Sequence, residues 1–334
     1  MLIGISGTTS SGKTEVARYL TFQGFTLIGI KGESNGVTTK SSDIETDGNI
    51  YTSSMEYQQF ESLNELVDYV TLNWRSNFVF NNLDQIETLN IFQKRPFFLH
   101  ISVDAPMNLR YQRYKAKNQI DITLEQFLQE NDKKLFCNEN PLIEINNQAN
   151  IKIINTSNSI KNLFIKLSEL NLIDLSRLRP SWDSYFMRLA DLAALRSNCM
   201  KRRVGCVIVR GNTVVATGYN GTPRHLTNCN EGGCDRCNKG QGSGAALSTC
   251  LCLHAEENAL LESGRDRING HKDGSTLYCN TCPCLTCSIK IVQSGITEVV
   301  YAQSYSMDEA THRVMSEAGI VLRQFSPAKD GIFI

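Results

Sequence analysis

The sequence predicts an α/β protein: a three-layer α/β/α sandwich in the carboxy-terminal half, preceded by a second α/β domain. Three observations carry this. Short apolar runs alternate with amphipathic ones, as buried strands do between helices. A glycine-rich loop follows the first apolar run and leads into a helical one. The two halves also differ in composition: eleven of the twelve cysteines lie between Cys199 and Cys287, and Cys137 alone lies outside. The join falls at Leu178-Arg179-Pro180-Ser181-Trp182, setting domains at 1–178 and 181–334.

In chain order, the first strand is Met1-Leu2-Ile3-Gly4-Ile5-Ser6. Gly7-Thr8-Thr9-Ser10-Ser11-Gly12-Lys13-Thr14 follows, then a helical run over 15–20. This is G-x-x-x-x-G-K-T between a strand and a helix. Backbone N–H groups of such a loop cradle phosphates, Lys13 reaches the terminal ones, and the Thr14 hydroxyl suits Mg²⁺. Gly7, Gly12, Lys13 and Thr14 are therefore candidate phosphate ligands, with ATP and Mg²⁺ as the implied cofactors. Phe78-Val79-Phe80 and Phe97-Phe98-Leu99-His100-Ile101-Ser102-Val103 read as further strands, and a helix carrying Arg110, Arg113 and Lys115 follows the second. The first of these runs into Asn81-Asn82-Leu83-Asp84, so no clear apolar strand ends in the acidic residue that would hold Mg²⁺.

The second half opens with an amphipathic helix over 182–195. Strands over 204–209 and 213–218 flank Gly211-Asn212, a hairpin turn signal. A helix begins at His254 and stops at Ser263-Gly264. Strands over 275–279, 299–302 and 321–325 follow, with helices starting near Cys284 and spanning 307–317.

Charge and composition bound the function. Lys+Arg and Asp+Glu are equal at 34 each, and residues 182–334 hold 16 Lys+Arg against 14 Asp+Glu, a net of +2. That excludes a partner held by bulk charge, so no nucleic acid is expected. No apolar run approaches the ~18 residues of a membrane helix, and no export signal opens the chain. No membrane is expected, and the cytoplasm, with the nucleus also open, is the expected location. In a reducing compartment, clustered cysteines bind metal more often than they pair.

The chemistry concentrates in His254-Ala255-Glu256 and, 27 residues later, Pro283-Cys284-Leu285-Thr286-Cys287. His254, Cys284 and Cys287 are three zinc ligands, one short of a closed tetrahedron, which marks a catalytic site. Cys284 and Cys287 share a helix face, and Pro283 suits a helix start, whose partial positive charge favours thiolate. Glu256 is a carboxylate that is not a ligand, placed to accept a proton. H-x-E…P-C-x-x-C is the pattern of the zinc nucleobase deaminases.

At this point the second half resembles the deoxycytidylate (dCMP) deaminases. The runs Arg196-Ser197-Asn198-Cys199, Arg202-Arg203-Val204-Gly205, Gly218-Tyr219-Asn220-Gly221-Thr222-Pro223, Leu253-His254-Ala255-Glu256, Leu277-Tyr278-Cys279 and Pro283-Cys284-Leu285-Thr286-Cys287 carry the likeness over 181–325. The first half resembles the P-loop nucleotide and dephospho-coenzyme-A kinases, an addition similar to that of fungal deaminases of this family. The resemblance implies a cytidine-deaminase-like fold and hydrolysis of dCMP to dUMP for thymidylate synthesis. It also implies activation by dCTP, inhibition by dTTP and a homo-oligomer, often a hexamer. Glu256 would shuttle the proton between water, the pyrimidine ring and the departing amine.

Other residues take roles by the same likeness. Asn220 would meet the sugar hydroxyl, with Tyr219 beside it in the loop, and Tyr305 would help close the site. An ordinary turn explains the loop equally well, and core packing explains Tyr305. Cys199, Cys229, Cys234 and Cys250 fall where related deaminases place a second, structural zinc; Cys237 and Cys252 compete as ligands. Two alternatives stay open: a deaminase of another cytosine nucleotide, nucleoside or RNA, and a nucleotide-sensing regulator built on the phosphate loop. A scaffold has no need of Glu256.

Overall fold

The computed structural model describes residues 1–31, 57–118, 121–242, 246–269, 274–304, 309–326 and 331–333. The chain divides into two compact units, Met1–Arg179 with Lys329–Ile334, and Pro180–Ala328.

The first unit runs β1 (Leu2–Gly7), α1 (Lys13–Phe22), β2 (Thr26–Ile30), β3 (Tyr57–Phe60), α2 (Leu63–Leu72), β4 (Phe78–Phe80), α3 (Ile86–Gln93), β5 (Phe98–Asp104), α4 (Met107–Asn118), α5 (Leu124–Leu135), α6 (Leu142–Asn147), β6 (Ile151–Ile154) and α7 (Ile160–Leu170). The second runs α8 (Trp182–Ala194), β7 (Gly205–Arg210), β8 (Thr213–Tyr219), α9 (Asp235–Asn238), α10 (Ala255–Asn269), β9 (Ser275–Thr281), α11 (Leu285–Ser294), β10 (Glu298–Gln303), α12 (Glu309–Glu317) and β11 (Val321–Gln324). A final strand, β12 (Gly331–Phe333), belongs to the first unit.

Seven parallel strands in the order β12-β6-β5-β1-β4-β2-β3 form the first sheet. Alternate residues feed its two faces. Ile3, Ile5, Leu99 and Ile101 pack under α1 and α7, while Leu2, Phe78, Phe80 and Phe98 pack under α2 and α3. A sheet buried on both sides has no polar face, which is why β1 reads as an uninterrupted apolar run. The domain expected over 181–334 needs one correction: Gly331–Phe333 pairs in parallel with Lys152–Ile154 and completes the first sheet. Backbone pairing over such a sequence separation leaves no local signal.

The second sheet has the order β11-β10-β9-β7-β8, with β7 antiparallel to both neighbours. Its three layers follow from strand alternation. Cys206, Ile208, Leu277, Cys279 and Val299 face α10, α11 and α12; Val207, Val209, Tyr278 and Val300 face α8. The expected hairpin turn is present, with Gly211 and Asn212 at φ 52° and 61°, as a type I′ turn requires. Both flanking helices lie directly on glycine. A Cβ at Gly205 would stand 1.9 Å from the Ala190 carbonyl oxygen of α8, and one at Gly218 would stand 2.1 Å from the Ala255 oxygen of α10. That close seat on β8 fixes the first turn of α10.

Candidate active site

Both metal-ligand motifs sit at helix starts. His254 immediately precedes α10, and its carbonyl accepts the first helical bond, from Asn258 N–H at 3.1 Å. Cys284 caps α11, with Cys287 in the first turn, so the pair lies at the cap and third positions rather than along the helix body. His254 Nδ1 is 3.2 Å from Cys287 Sγ and 3.4 Å from Cys284 Sγ. Zinc bound at about 2.05 Å to nitrogen and 2.3 Å to sulfur spans N–S edges of about 3.5 Å. The three donors therefore fit a tetrahedral zinc and leave its fourth corner open. Cys284 is held in the thiolate form by Cys287, His254 and the Thr286 hydroxyl, whose oxygen lies at 3.1 Å.

Glu256, on the first turn of α10, is 4% exposed. Burial pushes its carboxyl above the usual range, against the pull of His254. Sequence reasoning missed its neighbour. Glu257 accepts the His254 backbone N–H at 2.8 Å and pairs with Lys290 of α11. One carboxylate thus caps the helix that carries His254 and ties it to the helix that carries Cys287. The signal was available: a glutamate three residues after a helix cap reaches back to the cap N–H.

Residues 180–303 match the family model described as the cytidine and deoxycytidylate deaminase zinc-binding region, a span that includes all four site residues. The chain is 48% identical to the deoxycytidylate deaminase of Schizosaccharomyces pombe over 333 residues, covering 99% of each. The chain belongs to the deoxycytidylate deaminase family. Its likeness to the Saccharomyces cerevisiae deoxycytidylate deaminase is 51% over 288 residues, 81% of this chain and 90% of that one. A solved dCMP deaminase of cyanophage S-TIM5, in complex with dCMP and dUMP, is 28% identical with TM-score 0.35, covering 44% of this chain and 98% of that one.

Tyr219, the last residue of β8, and Asn220 open the loop that follows that strand. The Asn220 side chain bonds the segment before β7: Oδ1 accepts from the Ser197 hydroxyl at 2.7 Å and Val204 N–H at 2.8 Å, and Nδ2 donates to the Arg202 carbonyl at 2.8 Å. It staples the 197–204 segment to the loop, with one amide hydrogen left over. Tyr219 pairs across the hairpin with Gly205, so it shares the α8 face of the sheet, opposite α10. Only its carbonyl turns toward the site helix, accepting from Asn258 Nδ2 at 2.7 Å. Tyr305 lies outside the described residues.

The expected second set, Cys199, Cys229, Cys234 and Cys250, is not brought together as four. Cys199 and Cys229 group with Cys237 and Cys252; Cys234 and Cys250 group with the same two. Spacing alone could not partition six cysteines.

In the first unit the glycine loop adopts the shape its sequence requires. Gly7 and Gly12 have φ 143° and 107°, and a Cβ at Gly7 would strike the Val103 oxygen at 2.0 Å. Lys13 Nζ folds back onto the Gly7 and Thr8 carbonyls at 2.6 and 3.1 Å. Burial, with Lys134, Arg110 and Lys117 nearby, lowers its pKa to about 8; Asp84 opposes the shift. A cavity of about 280 Å³ opens beside the loop, lined by Lys13, Asn82, Asp84 and Lys134 among others. Thr14 stands in the first turn of α1.

Proposed function

We propose that this chain hydrolyses dCMP to dUMP and ammonia, supplying dUMP for thymidylate synthesis. The single observation that carries the reading is Glu256, a buried non-ligand carboxylate beside a three-donor zinc set with one open corner. Zinc bound there supplies Lewis-acid activation of a water molecule. Glu256 accepts a proton from that water and passes it to the pyrimidine ring nitrogen, which makes carbon 4 electrophilic. The hydroxide left behind bonds to carbon 4, and Glu256 then takes the proton of that new hydroxyl and delivers it to the exocyclic amine, whose bond to carbon 4 breaks to release ammonia. A carboxyl raised by burial is suited to both directions of transfer near neutral pH. Glu257 and Lys290 hold the ligand-bearing helices in place.

Replacing Glu256 with Gln keeps shape and hydrogen bonding and removes the proton carrier. General acid–base groups contribute 10²–10⁴-fold, and the burial of Glu256 leaves bulk water a poor substitute. The expected loss in kcat is about 10⁴-fold, roughly 5.4 kcal/mol, with zinc content unchanged. Turnover within tenfold of wild type would refute the role. A comparison of dCMP, CMP, deoxycytidine and a short oligonucleotide tests the substrate: preference for the unphosphorylated nucleoside or the oligonucleotide overturns it.

The first unit is proposed to bind nucleotide phosphates, ATP with Mg²⁺ being the expected form. The positive-φ glycine loop and a half-buried Lys13 among other cations support phosphate binding, and Asp84 in the same cavity supports a metal. Activation by dCTP, inhibition by dTTP and a hexameric assembly are proposed from the family likeness. An exposed apolar stripe along α8 and its C-cap, Trp182, Tyr185, Leu192 and Leu195, supports self-association. That none of the twelve cysteines is joined in a disulfide supports a reducing compartment, the cytoplasm or nucleus.

A further inference from the structure

Six cysteines of the second unit pack together with no aliphatic or aromatic company. Among the described residues from 227 to 252, the buried side chains are Cys229, Cys234, Cys237, Cys252 and Arg236. Cys199 and Cys250 close around them, half-buried. The one α-helix among those residues, α9, is four residues long. An insertion so poor in apolar surface cannot be held by burial alone; small segments of this kind rely on cross-links or metals.

Sulfur geometry selects between those two. Cys199, Cys229, Cys237 and Cys252 form one set whose sulfurs all lie within 4.8 Å of one another, and Cys234, Cys237, Cys250 and Cys252 form a second. The sulfurs stand 3.8 Å apart for Cys199–Cys237, 3.9 Å for Cys237–Cys250 and Cys237–Cys252, and 4.0 Å for Cys234–Cys250. Disulfide sulfurs sit at about 2.05 Å. Four thiolates at about 2.3 Å from zinc form a tetrahedron with edges of ~3.8 Å. We propose that this cluster binds two zinc ions, each held by four sulfurs, with Cys237 and Cys252 bridging the pair as the shared edge of two tetrahedra. Cys199 and Cys229 complete one ion's shell, and Cys234 and Cys250 complete the other's.

Charge and donors agree with a pair of ions. One ion would use four sulfurs and leave two further thiols, one buried and one half-buried, without a role. Two divalent ions against six thiolates leave two negative charges. The Arg236 guanidinium, 7% exposed, donates to Cys250 Sγ at 3.6 Å. Backbone N–H of Met200 points at Cys229 Sγ from 3.4 Å, as donors do around metal-bound thiolates. Borderline-soft, closed-shell zinc suits an all-sulfur tetrahedral shell.

The cluster also reaches the catalytic centre. Bridging Cys252 is followed by Leu253, which exchanges backbone bonds with Gly221 at 2.8 and 3.1 Å, and then by His254. Next to Cys199, Asn198 accepts from Thr222 N–H at 3.2 Å and donates to Asn228 at 2.8 Å. Both sides of the loop near His254 are thus anchored in sulfur. This last link rests on the deaminase reading; the metal count does not.

The test uses the full-length native protein, analysed for metal and then exchanged with cadmium-113. The expected content is three zinc ions per chain, one at His254–Cys284–Cys287 and two in the cluster. Cadmium-113 resonance should show two all-thiolate signals split by each other through the shared sulfurs, and a third unsplit signal. Cys237→Ser should abolish the splitting, whereas Cys284→Ser should remove only the third signal and leave the splitting intact. A single all-thiolate signal, two unsplit ones, or iron with inorganic sulfide in the native protein would overturn the proposal. If Cys237→Ser does not fold, the wild-type spectrum decides alone. Loss of the third signal's assignment would instead count against the catalytic site, so the two readings fail separately.

Discussion

Substituting Gly218 with Ala adds one methyl group at the seat of the catalytic helix. Its Cβ would lie 2.1 Å from the Ala255 carbonyl oxygen, 2.5 Å from Ala259 N and 3.0 Å from Ala259 Cβ. The first two are backbone atoms, so no side-chain rotation relieves the clash. Reaching even the tight 3.0 Å limit requires the first turn of α10 to withdraw by about 0.9 Å. Ala255 stands between His254 and Glu256, so both move with it. A displacement of about 1 Å at a reacting centre costs on the order of 10²-fold, and forced overpacking costs roughly 1–3 kcal/mol of stability. The expected phenotype is a folded protein with kcat/KM for dCMP down by about 100-fold and a lowered Tm. Gly242→Ala is the control, because its Cβ would meet nothing within 4 Å. Steady-state kinetics and thermal melts on both variants decide the matter. Wild-type kcat/KM in Gly218→Ala would show that the helix seat does not set the geometry of the site.

Three further outcomes follow. Glu257→Gln removes the charge shared by the His254 N–H and Lys290; zinc affinity, measured by chelator competition, should fall about tenfold or more, and unchanged affinity would deny it a positioning role. Asp183 is held below the usual carboxylate range by its paired bonds to Arg323, aided by the Tyr278 hydroxyl. Such a depressed group stabilises the fold above its unfolded pKa and loses that effect as pH falls through its folded one. Asp183→Asn should therefore cost roughly 1 kcal/mol at pH 7, a Tm loss of about 2–4 °C after allowance for solvent screening, and the gap should shrink as pH falls below the ordinary carboxylate range and through the depressed pKa of Asp183; a pH-independent gap refutes the pairing. Lys13→Ala should weaken ATP binding to the full chain at least tenfold in calorimetry while leaving basal dCMP turnover intact; equal ATP affinity would remove the phosphate-loop proposal.

Much of this architecture was legible because its signals are local. Gly211-Asn212 between two apolar runs specifies a hairpin, and Ser263-Gly264 ends the regular turns of α10, where Gly264 leaves helical geometry at φ 64°. The zinc donors were legible because helix caps bring short motifs to predictable positions. What stayed hidden depended on long-range partners. Asn220 shows from its residue type that it will bond something, but not that Ser197, Arg202 and Val204 claim it. The six cysteines stand out by their number; which two belong to both four-sulfur groups is decided only when loops far apart in sequence converge.

The last strand of the first sheet has a consequence for how the protein is made. Residues 1–179 leave the ribosome long before Gly331–Phe333, the segment that covers the outer edge of β6. Throughout synthesis of the intervening unit, a row of peptide groups on β6 stays open to pairing with other chains. Expressing the first unit as an amino-terminal fragment would make that exposure permanent, so soluble material calls for grafting the final segment back onto it.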